Sequence, residues 1–435
     1  MRQWTHEVYA GKKTLGDIDL EGRRVFLRVD YNAPIQDGTV TDSTKLRRTL
    51  PTIKFLIKRG VQSIVIGTHL GRPEEDEDPV NSPSSGGVQV VLEELNRLLQ
   101  SADEKAVFEF AFMSKDEGAQ RGRWTMVQNL RTLKVERNKK DVASRELFDA
   151  FVKNNCDVMV SDGFGVLHRK DYSVVGLPLE KVAGLLVDSE VQGLSLLLGE
   201  AAPPEELSPL DTDPTTLKRF TENARTPDAF KTDPKKPIDL LIIGGCKLAD
   251  KIGLVKSLAG VASNIFLGGL LSTPFDTGEV EHTSEIMESA ARHGANIFLS
   301  ADYLLESGET ILPHKVTPQL VQSIRDIGPS TEDLLNTVIS KSKRIFWNGT
   351  LGLAEQKKFA HGTETALKII ETRRRFLSRT GTPGMMAAGG GDTSSYIHLH
   401  NYAPSFDLIF TGGGATLEAL EGKVLPGIEA LADRI

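Results

Sequence analysis

The sequence predicts two α/β domains, each a doubly wound parallel sheet, joined by a helix. Three observations lead there. Short apolar runs alternate with amphipathic helical stretches along most of the 435 residues, the order that buries a parallel sheet between helix layers. The alternation halts once, at 200–237, then restarts, and a chain of this length exceeds one ordinary core. Glycines and charged residues gather at the carboxyl ends of the apolar runs, the edge at which open α/β sheets bind ligands. Two Rossmann-like domains follow, one over 1–186 and one over 187–414.

Composition narrows the partners. A net charge of −7 argues against a general nucleic-acid binder. An anionic small molecule stays open, provided positive charge is gathered locally. The opening stretch lacks the apolar core of a signal peptide, and no run reaches membrane-spanning length. Cys156 and Cys246 have no metal-type spacing. Both are expected as reduced thiols near buried strands, which suits a cytoplasmic setting.

In the first half, 24–32 (RVFLRVDYN) reads as a strand ending in Arg28, Asp30 and Asn32. Helical periodicity over 44–60 carries Pro51, where a break or a new helix start is expected. The run 63–73 (SIVIGTHLGRP) ends in His69 and Arg72. Acidic, then Pro-, Ser- and Gly-rich residues at 74–87 read as an exposed loop before a helix at 88–100. A third strand, 124–130, ends at Arg131, and a fourth, 157–161, leads into DGFGVLHR with His168 and Arg169. Any one of Arg28, His69, Arg72, Arg131, His168 and Arg169 reads equally as an ordinary salt-bridged residue. Six at equivalent strand ends read as a pocket for a small phosphorylated carboxylate, because guanidinium groups grip both anions bidentately.

Residues 187–199 read as the connecting helix, and 200–237 as a long insertion with at most one short helix. Strand 238–245 then turns through GGCKLADK, in which Lys247 and Lys251, four apart, share one helix face. The spacing is not that of a P-loop. The pair either grips phosphates or forms a solvated face. Further strands are expected at 264–267, 296–299, 344–348, 385–389 and 407–411. After the run at 385–389 comes GGGDT: bare glycines and a helix N-terminus, which favour an anion. It reads also as a tight strand-to-helix turn. Asp392 is either an N-cap alone or also the ligand of a divalent cation on a polyphosphate.

With these stretches in hand, the chain resembles the phosphoglycerate kinase family over nearly its whole length. The resemblance is carried, in order, by RVDYNAP, THLGRP, QNLR, SDGFGVLHR, GGCKLADK, DIGPST, WNGTLGLAE, GGGDT and TGGGATLEALEGKVLPG. It implies reversible phosphoryl transfer between 1,3-bisphosphoglycerate with MgADP and 3-phosphoglycerate with MgATP. Hinge closure would bring the two substrates together, and the tail, about 415–435, would return to the first domain. Arg28, Asp30, Asn32, His69, Arg72, Arg131 and Arg169 would hold the phosphoglycerate. Gly245, Lys247, Lys251, Gly269, Asn348, Glu355, Gly389, Gly390, Gly391, Asp392 and Thr393 would hold the nucleotide, Glu355 on the ribose and Asp392 on Mg2+. Lys45, Lys247, Gly390 and Gly391 would act on the transferring group. A monomer without nucleic-acid or membrane partners is implied.

Departures from the family pattern bear on activity. Lys45, in DSTKL, stands where the family has an arginine on the transferring phosphoryl. Leu270, in GGLLSTPF, replaces a third glycine on the adenine side, with Pro274 nearby. Gln128, Thr350 and Asp171 differ more softly. Two expectations follow: a kinase of reduced rate, or a family paralogue that has lost catalysis and serves as a binding or scaffold subunit.

Overall fold

Two six-stranded sheets, every neighbouring pair in them parallel, are built from the apolar runs. The computed structural model describes residues 4–73, 83–102, 105–114, 123–199 and 224–434. The first sheet runs Glu109–Ala111, Trp124–Val127, Ser63–Gly67, Arg24–Arg28, Val158–Ser161, Glu180–Ala183. The second runs Asn296–Leu299, Ala262–Leu267, Ile238–Ile243, Arg344–Asn348, Met385–Gly389, Leu408–Phe410. Their central strands are buried on both faces, so the runs read as continuously apolar rather than alternating. Strand order reverses beside Arg24–Arg28 and beside Ile238–Ile243, the crevices where such sheets take ligands. Register keeps the carboxyl ends level there: Arg28 pairs with Gly67 and Ser161, and Ile243 with Leu267 and Asn348.

The chain divides into two compact units, Thr5–Gln192 with Val424–Ile435, and Gly193–Lys423 together with Met1–Trp4. The division falls inside helix Leu185–Leu198, six residues beyond the bound read from sequence. The returning segment begins at Val424 rather than near 415, because helix Gly414–Leu420 packs on Ile252–Ala259 of the second unit. Lys12 ties the terminus down by donating to the Glu429 and Leu431 carbonyls and to Asp433.

Several local expectations are corrected. Helix Thr44–Lys58 runs unbroken through Pro51. Pro51 and Arg47 are both exposed, so the backbone bond that proline removes is lost on the outer face, while Leu46, Ile53 and Leu56 hold the other face on the core. The helix expected at 88 starts at Pro83, a residue suited to a first turn. Residues 74–82, and most of the expected insertion (200–223), lie outside the described residues. Edge strands Glu109–Ala111 and Glu180–Ala183, a hairpin at Ile35–Val40 and a three-stranded antiparallel sheet around Tyr303–Leu305 were not anticipated. Cys156 is buried as expected, whereas Cys246 is exposed on the turn after Ile238–Ile243.

Candidate active site

In the first unit three strand ends are stitched into one surface. The Asn129 side chain accepts from the Leu70 amide at 3.2 Å and donates to the Leu70 carbonyl at 2.7 Å. Asn32 accepts from the Gly71 amide at 3.0 Å, and Arg131 donates to the Gly71 carbonyl. These bonds fix the loop that carries His69 and Arg72 against the loops carrying Asp30 and Arg131. His69 is 1% exposed, and neither ring nitrogen has a hydrogen-bond partner. Burial holds its pKa well below 6.5. Asp30 opposes that shift, and the charges of Arg28, Arg131 and Arg169 deepen it. A buried, unpartnered imidazole among guanidinium groups is a costly arrangement unless something polar completes it.

Arg28, expected on the anion pocket, is fully buried and surrounded by protein partners. Its Nε donates to Ser173 Oγ at 2.7 Å, Nη1 donates to the Val29 carbonyl, and Nη2 lies 3.6 Å from Glu136. Glu136, also fully buried, accepts from the Ser173 amide and hydroxyl. Burial raises its pKa, and Arg28 pulls it back down. The pair lies beneath the strand ends that carry Asp30 and Asn32. Neither Glu136 nor Asn129 stood out in the sequence; Asn129 lay inside the QNLR stretch, and nothing marked Glu136. Gln128, a departure from the family pattern, accepts from the Met113 amide at 2.6 Å and so has a local structural use.

Lys45, second residue of its helix, donates to Asp30 Oδ2 at 2.9 Å. Burial raises the Asp30 pKa, but the charge and hydrogen bond of Lys45, with His69, bring it out lowered. Arg72 is exposed beside Gly71, and Arg169 donates to His168 Nε2 at 3.4 Å.

In the second unit, two strand-end turns meet backbone to backbone. A Cβ on Gly244 would stand 2.1 Å from the Thr350 carbonyl oxygen, and one on Gly349 equally close to that of Gly244. Only glycine permits this approach. Trp347 Nε1 fixes the turn by donating to the Gly349 carbonyl at 2.7 Å. Beside it, Lys251 Nζ donates to Asn348 Oδ1 at 2.7 Å, Asn348 Nδ2 to the Gly389 carbonyl at 2.9 Å, and the Gly349 amide to Thr393 Oγ1 at 2.8 Å. Asn348 and the Thr393 hydroxyl are thus brackets that hold Lys251 and the glycine turn. Burial lowers the Lys251 pKa, and Asp250 and Asp392 oppose it.

Helix Gly391–Leu399 starts at the glycine run, with Gly391 and Asp392 exposed. A cavity of about 260 Å³ brings together Gly245, Gly269, Glu355 and Asp392. Lys247 does not line it; that residue faces a neighbouring cavity of about 400 Å³. Asp326, which sequence reading noted only within DIGPST, also lines the smaller cavity. It is 1% exposed, accepts from the Gly362 and Ile327 amides, and burial pushes its pKa up to about 6. Among the described residues no group of three His, Cys, Asp or Glu could hold a metal. A cation on Asp392 would take the rest of its shell from phosphate oxygens and water, which suits Mg2+.

Two doubly wound units, one with a guanidinium-rich strand edge and one with a glycine-lined edge, define a class of two-domain α/β proteins. A model of the phosphoglycerate kinase family matches residues 15–206 and 220–423. Solved structures of phosphoglycerate kinases from Coxiella burnetii and from Pyrococcus horikoshii OT3 are similar, each 25% identical with a TM-score of 0.69. Each match covers 96% of this chain and 98% of the other. The chain belongs to the phosphoglycerate kinase family, a family of phosphotransferases. No helix among the described residues is long and apolar enough to cross a membrane.

Proposed function

We propose that the protein transfers a phosphoryl group reversibly between 1,3-bisphosphoglycerate with ADP and 3-phosphoglycerate with ATP, as a cytoplasmic monomer. The observation that carries this reading is the second unit's cavity, where Glu355, Asp392 and the turn glycines converge at the point of strand reversal. Asp30, Asn32, His69, Arg72, Arg131 and Arg169 would hold the phosphoglycerate; Lys251 and the amides of Gly390 and Gly391 would face the phosphates, whereas Lys247, on the neighbouring cavity, would not. Arg28 acts beneath them. Mg2+ on Asp392 would neutralise phosphate charge. No protein nucleophile is needed, because such transfer depends on positioning and charge stabilisation.

The Lys45–Asp30 pair gives the second reading its footing. A lysine held by a carboxylate, in place of the family's arginine, is what a scaffold paralogue freed from catalysis would tolerate. A coupled assay of 3-phosphoglycerate phosphorylation by MgATP, with calorimetry of ADP, separates the two. Turnover with ADP binding supports the kinase. Neither, in a folded protein, supports the scaffold.

A further inference from the structure

Beside the cavity that holds Glu355 and Asp392 lies the larger one, about 400 Å³ against about 260 Å³, lined among others by Lys247, Thr273, Pro274, His282 and Val321. The two linings share Cys246 and Leu270. Ligand pockets usually span about 300–1,000 Å³, so the smaller cavity is tight for a nucleoside and the two joined would not be. Leu270 is half-buried and leans on the cluster of Tyr303, Leu305 and Ile324. Gly269 before it sits at φ +58°, where a Cβ would stand 2.4 Å from the Leu351 carbonyl oxygen. The Gly269 amide donates to Ser300 Oγ at 3.0 Å and Thr273 Oγ1 to the Leu270 carbonyl at 2.9 Å, so the backbone that carries Leu270 is held on both sides.

We propose that Leu270 is the partition that sets how large a purine base the nucleotide cleft accepts. The inference rests on the nucleotide reading given above. Of the polar groups of the smaller cavity, which also include Arg325, Asp326 and Thr350, Glu355 and Asp392 suit ribose and phosphate. Its apolar members, Leu270, Ile324, Leu351 and Leu353, remain for the flat base. A base bearing a bulky substituent meets the Leu270 side chain; with that side chain cut back, the substituent enters the neighbouring cavity. Cys246, exposed at the same wall, reports occupancy, since the chain's other cysteine is buried.

The test is calorimetry of ADP and of N6-benzyl-ADP with wild type, Leu270→Ala and Leu270→Met, with thermal unfolding to check folding. Wild type is expected to prefer ADP by at least about tenfold, the discrimination a shaped apolar pocket supplies. Leu270→Ala is expected to cut that preference at least about fivefold, and Leu270→Met to cut it less. The rate of Cys246 labelling by an aromatic disulfide gives a second readout: N6-benzyl-ADP should slow it in Leu270→Ala and not in wild type. An unchanged preference in folded Leu270→Ala, or equal binding of both nucleotides by wild type, overturns the partition while leaving the nucleotide reading standing. If wild type binds neither nucleotide, that reading fails and the partition with it.

Discussion

Lys45 Nζ lies 2.9 Å from Asp30 Oδ2, so the cation that would face the transferring phosphoryl in the proposed reaction is already engaged by a carboxylate. Lysine presents a point charge, and a single ammonium satisfied by Asp30 has less to offer a phosphoryl group than a guanidinium fork. Lys45→Arg is expected to raise turnover about tenfold, part of the 10²–10³ that one transition-state donor is worth. Lys45→Ala should lower it further. Steady-state rates at saturating MgATP and 3-phosphoglycerate check both, and equal rates in all three proteins would remove Lys45 from the chemistry.

The buried ring of His69 gives stability a pH dependence. Burial, reinforced by Arg28, Arg131 and Arg169 and opposed by Asp30, keeps its folded pKa well below 6.5. The unfolded chain takes up a proton near 6.5, and the folded protein does not until lower pH. Below 6.5 the unfolded state therefore binds more protons, and stability falls as pH falls. The unfolding free energy of wild type relative to His69→Gln should shrink between pH 7 and 5, by at most about 1.4 kcal/mol per pH unit. Urea midpoints across that range measure it. A constant difference would mean the ring titrates like a free histidine.

Much of this was legible from the chain. Continuous apolar runs ending in glycine, at 238–245 and 385–391, gave away central parallel strands, because burial on both faces leaves no other pattern. Short edge strands such as Glu109–Ala111 were not legible: at three residues, none of them fully buried, neighbours rather than composition decide them. The site divides the same way. Asp392 and Glu355 stood on motifs, and the cavity joins them. Arg28 sat on a motif too, yet sequence cannot tell a strand-end arginine that points at solvent from one that points into the sheet. Its partner Glu136 is 108 residues away in number (136 against 28), beyond any local pattern.

That buried pair can be separated from a direct ligand role. Removing one member leaves an uncompensated buried group, typically costing about 3–5 kcal/mol, whereas replacing both with apolar residues restores much of it. Arg28→Met should therefore destabilise strongly, and Arg28→Met/Glu136→Leu should recover at least about half of the loss. Chemical denaturation of the two single variants and the double closes the cycle. If Arg28→Met were instead as stable as wild type and raised KM for 3-phosphoglycerate, Arg28 would be a ligand after all.

Gly390 and Gly391 are adjacent, and alanine at each should fail in a different way. Gly390 sits at φ +98°, and a Cβ there would stand 2.8 Å from Asn348 Nδ2. Alanine at 390 strains the backbone by about 1–3 kcal/mol. It also pushes on the amide that holds Lys251 and the Gly389 carbonyl. Gly390→Ala should thus lose stability and phosphate affinity together. Gly391 begins the helix at ordinary φ, and a Cβ there meets nothing within 4 Å. Gly391→Ala should keep stability within about 0.5 kcal/mol of wild type. Its new methyl would stand in open space beside the amides offered to the phosphoryl group, so turnover should fall at least about tenfold through lost approach. Thermal unfolding and the coupled assay, run on both variants, separate turn geometry from ligand approach. Full turnover in Gly391→Ala would mean that the transferring group does not come to this helix end.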